Sequence, residues 1–133
     1  MNLAYGGNSA IPVRFVFELA APTYFVAEDW GSLMKSDNLG SEEEFYRMMT
    51  GKELSAQEYR QEIKKISPTC LVGEDSVPTL IGYGLKDHCV PADQKEYLID
   101  ALEKNGVSYD YVEFPHSNHL LYGDLDKMQT FMD

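Results

Sequence analysis

Two rhythms of apolar and polar positions alternate along the chain. Residues Ile11 to Ala20, IPVRFVFELA, form a nearly continuous apolar run, entered through Pro12 and closed at Ala21-Pro22, with Arg14 and Glu18 as its polar interruptions. A run of this kind suits a strand covered on both faces, as in a parallel sheet. Thr79 to Gly84, TLIGYG, follows Pro78 and predicts a second strand. Val107 to Phe114, VSYDYVEF, predicts a third, its alternate residues separating onto two faces.

Between the first two strands the pattern turns helical. Ser41 to Glu44 and Ser55 to Glu58 both have the S-x-x-E form in which serine and glutamate satisfy the free amides of a helix start. The first predicts a short helix with Phe45, Met48 and Met49 on its apolar side. The second predicts a better one, with Tyr59, Ile63 and Ile66 on one face and a stop at Ser67-Pro68. A further helix over residues 92–104 places Tyr97, Leu98, Ala101 and Leu102 together and ends at Asn105-Gly106, a left-handed stop. A last helix runs from about Leu125 to Met132, with Leu125, Met128 and Met132 as its apolar positions.

The order is strand, helices, strand, helix, strand, helix, which is that of βαβ units and a parallel sheet. The expectation is a single α/β domain over residues 1–133. Within it, residues 23–66 form a cap-like helical excursion above the sheet. Three parallel strands leave two edges and partly bare faces, so the sheet would gain from further sequence or from a second copy paired along an edge as a homodimer.

Composition narrows the partners. The 133 residues include 11 basic and 22 acidic side chains, a formal charge of -11. Nucleic-acid binding needs a basic footprint, and the sequence has none. No apolar run is long enough to span a bilayer. The start, MNLAYGGNSA, has no basic region leading into an apolar core, so it is not a secretory signal, and a cytoplasmic setting is favoured. Cys70 and Cys89 lack the spacing of a metal knuckle and read as two free, mostly buried thiols.

The stretch richest in chemistry begins at Pro78, PTLIGYGLKDHCVP. A buried strand ends, Asp87 follows, and a helix begins after Val90-Pro91. In an open α/β sheet the working residues lie just beyond the carboxyl ends of the strands. His119, in FPHSNHLL, occupies the loop after the third strand. An Asp and a His on loops after successive parallel strands can converge, the carboxylate holding the imidazole in the tautomer that serves as general base.

PTLIGYGLKDHCVP, a helix, and then YDYVEFPHSNH resemble the last third of α/β-hydrolases of the esterase and lipase type. IPVRFVFELAAPTYF is similar to the strand after the nucleophile helix, and SPTCLVGEDSVPTL to the approach to the acid-bearing strand. Within the superfamily the resemblance is closest to the small carboxylesterase and acetyl-esterase branch. It implies a partial α/β-hydrolase fold, Asp87 as triad acid, His119 as triad base and a small ester as substrate of the full-length enzyme. It implies no metal and no organic cofactor. His88 and His116 adjoin key positions but do not match the motif; His116 is expected to be solvated or capping. Trp30, Phe45, Met48 and Met49 would wall the pocket.

Three departures stand out. Tyr83-Gly84 replaces the His-Gly common before the acid. Asn118 replaces the glycine usual before the histidine, in keeping with asparagine's tolerance of positive φ. The nucleophile elbow G-x-S-x-G, which needs a strand before the serine and a helix after it, is missing. Its nearest match, Gly7-Asn8-Ser9-Ala10-Ile11, precedes a strand. The chain taken alone is therefore expected to be inactive, or to serve as a non-catalytic assembly module. A flavodoxin-like binding domain fits the alternation, but Ala20-Ala21-Pro22-Thr23 follows the first strand where a glycine-rich phosphate loop should stand.

Overall fold

A computed structural model describes residues 12–26, 41–91 and 93–132. Its elements are β1 (Val16–Leu19), α1 (Glu42–Thr50), α2 (Ala56–Lys64), a single-turn α3 (Pro68–Leu71), β2 (Thr79–Gly84), α4 (Asp93–Lys104), β3 (Tyr109–Phe114) and α5 (Leu125–Met132). The three strands form one parallel sheet in the order β1-β2-β3, with Leu19 opposite Gly82 and Gly84 opposite Phe114. The α/β order and the three-stranded parallel sheet match the expectation. Both serine caps form complete capping boxes, and Gly106 takes the left-handed conformation (φ 66°) after α4.

The central strand sorts the core. Ile81 and Tyr83 of β2 face one way and pack with Leu98 and Leu102 of α4, joined by Val90 and Val107. Leu80 faces the other way, with Val112 and Phe114 of β3 and Phe131 and Met128 of α5. Gly82 lies on that second face, where an added Cβ would come within 2.9 Å of Leu19 and 3.0 Å of the Phe114 ring. The missing side chain is what lets three apolar groups close over the middle of the sheet. Helices α1 and α2 make a separate small core from Phe45, Tyr46, Tyr59 and Ile63, with the Tyr46 and Tyr59 rings stacked at 3.8 Å.

Several sequence expectations change. β1 is shorter than the ten-residue run and, among the described residues, is not covered on both faces: there it pairs with β2 alone, and Phe15, Phe17 and Leu19 are 56%, 50% and 40% exposed. The apolar pattern describes a strand that would be covered if something lay over it. Met48 points to solvent while Phe45 and Tyr46 fill the inner face of α1. In α5 the buried residue is Phe131; Leu125 and Met132 are exposed. Cys70 and Cys89 are both free, as expected, but exposed rather than buried. Ser9 and Trp30 lie outside the described residues.

Two buried polar groups fix the loop after β1. Gln94, fully buried in the first turn of α4, accepts from the Thr23 and Tyr24 amides at 2.8 and 2.7 Å and donates to Tyr24 O at 3.2 Å. Amides left unpaired in such a place would cost about 1–3 kcal/mol each, so the glutamine substitutes for backbone partners that an irregular loop lacks. Glu18, on the α4 side of β1, is 8% exposed; its Oε1 accepts from the Ala21 amide and its Oε2 has no partner. Burial pushes this carboxyl up to about 7, and the Ala21 amide offsets only part of that.

Because the folded-state value lies above the unfolded one of 4.5, Glu18 contributes stability below that pH which is lost as pH rises through about 7. Replacing it by glutamine removes this dependence. Unfolding free energies from urea titrations of wild type and Glu18→Gln should diverge by up to about 3 kcal/mol between roughly pH 4 and pH 8, with the variant relatively more stable at the higher pH. Parallel pH profiles for the two proteins would refute the assignment.

Candidate functional site

The site is built where two loops cross the carboxyl end of the sheet. After β2 the chain turns tightly, Asp87 N donating to Gly84 O at 3.1 Å. After β3 a second turn is closed by Ser117 N to Phe114 O at 3.3 Å. Two bonds join the loops: Leu85 N to Phe114 O at 3.1 Å, which continues the β2–β3 pairing, and Lys86 N to Ser117 O at 3.0 Å. Gly84 makes this approach feasible. A Cβ there would sit 2.5 Å from the carbonyl oxygens of both Ser117 and Asn118, backbone atoms with no side-chain freedom to yield.

Asp87 and His119 meet as a result. His119 Nδ1 lies 2.9 Å from Asp87 Oδ2. The other carboxylate oxygen, Oδ1, accepts from the Cys89 and Val90 amides at 2.8 and 3.0 Å, an Asx-type turn leading toward α4. Each carboxylate oxygen thus has its own task, one gripping the turn and the other the imidazole. The Asp87 side chain is 1% exposed and that of His119 38%, so a shielded anion holds a ring that still reaches solvent. Bonded this way, Nδ1 carries the proton and Nε2 keeps its lone pair. Among the described residues, no hydroxyl is bonded to the His119 ring.

A second His–Asp pair, unseen in the sequence, anchors the histidine loop. Asp124 precedes α5 and accepts from the His116 amide at 2.9 Å, from the Ser117 hydroxyl at 2.6 Å, and lies 2.8 Å from His116 Nδ1. Burial alone would raise its carboxyl; the bonds from Ser117 and from the His116 ring and amide outweigh that and hold it below the ordinary range. His116 therefore works as a structural partner with an exposed ring (72%), not as a member of the Asp87 site. Gly123 supports the same loop, since a Cβ would strike His116 O at 2.5 Å. Positive φ falls on Leu121 (58°) and not on Asn118, whose side chain instead accepts from Leu120 N at 3.0 Å. Tyr83, standing where histidine is common, donates its hydroxyl to Ala21 O and so ties β2 to the loop after β1.

Neither Gln94 nor Asp124 carried a sequence signal beyond being polar, because their partners lie in the folded chain. Gly84 was in plain view, directly ahead of the acid turn. A largely apolar groove of about 450 Å³ runs between β1 and α4, lined by Val16, Glu18, Leu71, Leu98 and Leu102 among others; Asp87 and His119 are not in its wall. Cys89 is closer to the pair: its Sγ, an Asp87 carboxylate oxygen and a His119 ring nitrogen all lie within 4.8 Å of one another.

The sequence profile of the prolyl oligopeptidase family matches residues 6–132. The chain belongs to this family. The family is one of the α/β-hydrolases, which bears out the superfamily resemblance and the α/β fold class. No curated protein matches the chain. Among solved structures, it is similar to a truncated form of a carbohydrate esterase from gut microbiota, with 26% identity and a TM-score of 0.45. That alignment covers 55% of this chain and 28% of the esterase chain, so the protein spans under a third of that relative.

Substituting Gly84 by alanine should push the Ser117–Asn118 backbone away from β2 and part His119 from Asp87, with a loss of roughly 1–3 kcal/mol. The hydrogen-bonded Nδ1 proton should give a downfield proton NMR resonance in the wild type that is absent in Gly84→Ala. An unchanged resonance in the variant would show that the glycine is not needed for the approach.

Proposed function

We propose that the chain carries the acid and base of a serine-hydrolase site, with Asp87 orienting His119 as general base in the hydrolysis of a small carboxylic ester. The 2.9 Å contact between His119 Nδ1 and the buried Asp87 carboxylate, on loops that follow adjacent parallel strands, carries this reading. In the reaction, a serine Oγ bonds to the substrate carbonyl carbon as His119 Nε2 takes its proton. The tetrahedral centre collapses, expelling the alkoxide, which receives that proton from Nε2. Water repeats the cycle on the acyl-serine, and Asp87 stays ionised throughout, stabilising the imidazolium. An amide substrate would follow the same steps, and the family's name makes it the natural competitor.

In this reading the nucleophile and the oxyanion donors lie outside the described residues, among which no hydroxyl is bonded to the His119 ring. A missing oxyanion donor alone is worth about 2.7–4 kcal/mol of barrier. The chain by itself should therefore show no burst with a p-nitrophenyl ester and no labelling by a serine-directed phosphonate. Fused behind a segment that supplies a G-x-S-x-G elbow and an oxyanion loop, it should hydrolyse the ester, and His119→Ala or Asp87→Asn should lower kcat by roughly 10⁴-fold. Hydrolysis by the joined protein that survives both substitutions would sink the proposal.

A second reading rests on the bare β1 flank. Phe15, Phe17 and Leu19 leave an apolar strip along an edge strand, a surface suited to assembly with a second copy of the chain. Native mass measurement decides it: a dimer that Phe17→Lys splits into monomers supports assembly, whereas a monomeric wild type counts against it.

A further inference from the structure

We propose that Asp87, Cys89 and His119 form a binding site for a thiophilic divalent cation, Zn²⁺ being the best match. The observation is a juxtaposition of three different donors at the open end of the sheet. A carboxylate oxygen, a thiol sulfur and an imidazole nitrogen all lie within 4.8 Å of one another. Each is a Zn²⁺ ligand in its own right, and three protein ligands with one open position make a common zinc arrangement. A tetrahedral site has metal–ligand bonds of about 2.0–2.3 Å, which set the donors roughly 3.3–3.7 Å apart. Reaching that geometry takes at most about an ångström of closing for Cys89 and a few tenths of an ångström of opening between Asp87 Oδ2 and His119 Nδ1, now 2.9 Å apart, within reach of side-chain rotations by the exposed Cys89 and the part-exposed His119.

The surrounding bonds favour the same geometry. Asp87 Oδ1 is held by the Cys89 and Val90 amides, which fixes the carboxylate and keeps the Cys89 backbone beside it. Outer bonds of this kind orient a metal ligand. The free edge of the carboxylate, Oδ2, already faces His119 Nδ1 at 2.9 Å. A cation entering there takes the place of the proton between those two atoms. The imidazole stays neutral by carrying its proton on Nε2 instead, and the thiol releases one proton to solvent. Two anionic ligands then balance the two positive charges of the ion.

One consequence rests on the function proposed above. With Nε2 protonated and Nδ1 on the metal, His119 has no lone pair left for a serine proton, so the bound cation is an inhibitor. Binding itself does not depend on that reading and can be tested in the chain as it stands, which keeps the two claims separable. Spacing along the sequence could not reveal the site, because Cys89 has no cysteine partner and His119 comes from a different loop.

Co²⁺, a spectroscopic substitute for Zn²⁺, tests the proposal directly. The full chain should bind one Co²⁺ with an absorption band from thiolate-to-metal charge transfer, and Zn²⁺ should abolish that band. Zn²⁺ should also slow iodoacetamide alkylation of Cys89 by roughly tenfold or more while leaving Cys70 unchanged, as mapped by mass spectrometry. Cys89→Ser and His119→Gln should each weaken binding by roughly 10–100-fold, and Cys70→Ser should not. The alkylation measurement needs no variant, so it decides the matter even if a substitution prevents folding. Equal reactivity of Cys89 with and without Zn²⁺, cobalt binding without a thiolate band, or one metal shared by two chains would each overturn the proposal.

Discussion

Everything at the carboxyl end of this sheet depends on how closely two loops can approach over Gly84. The Lys86 amide reaches the Ser117 carbonyl at 3.0 Å only because no side chain stands between the end of β2 and the backbone after β3. That bond brings the acid turn and the histidine loop together, and the Asp87–His119 contact follows from it. Remove the space at Gly84 and the two side chains remain in the sequence without a reason to meet.

The two loops are held in different ways. The acid turn is self-sufficient, because Asp87 Oδ1 takes two amides of its own loop and Val90 plugs into the core beneath. The histidine loop relies on Asp124, which collects three bonds from His116 and Ser117 at the head of α5. α5 is in turn seated by Phe131 against Phe114. A chain of contacts thus runs from the α5 face of the sheet to the exposed imidazole, while Asp87 depends on the opposite face through α4. The site sits at the end of the central strand, where the cores on its two faces are read out together.

The same construction leaves β1 underused. Its run of apolar residues is paired on one side and bare on another, and Glu18 is buried with one oxygen unsatisfied. Both are features of an edge that gains from cover, and both are independent of the site chemistry. Tyr83 and Gln94 hold the loop after β1 firmly against β2 and α4 regardless, so the flank is bare without being loose. The exposed thiol of Cys89 is a different matter. It lies beside the most shielded carboxylate of the site and makes that carboxylate's surroundings chemically richer than an acid–base pair alone.

Much of the architecture was legible in the sequence. TLIGYG defined β2 to the residue, the two S-x-x-E boxes placed α1 and α2, and Asn105-Gly106 ended α4, because strand burial and helix capping are local properties that a few adjacent residues can satisfy. The parallel order followed from alternation, and Asp87 and His119 stood out because each follows a strand. What lay beyond reach depended on partners distant along the chain. Which face of α1 and α5 turned inward, whether β1 was covered, and whether the cysteines were buried were set by neighbours that no local pattern specifies. The pairing of Asp124 with His116, the bonds of Gln94 and the nearness of Cys89 to His119 were decided in the same way, by a polar atom finding its partner only after the chain had folded.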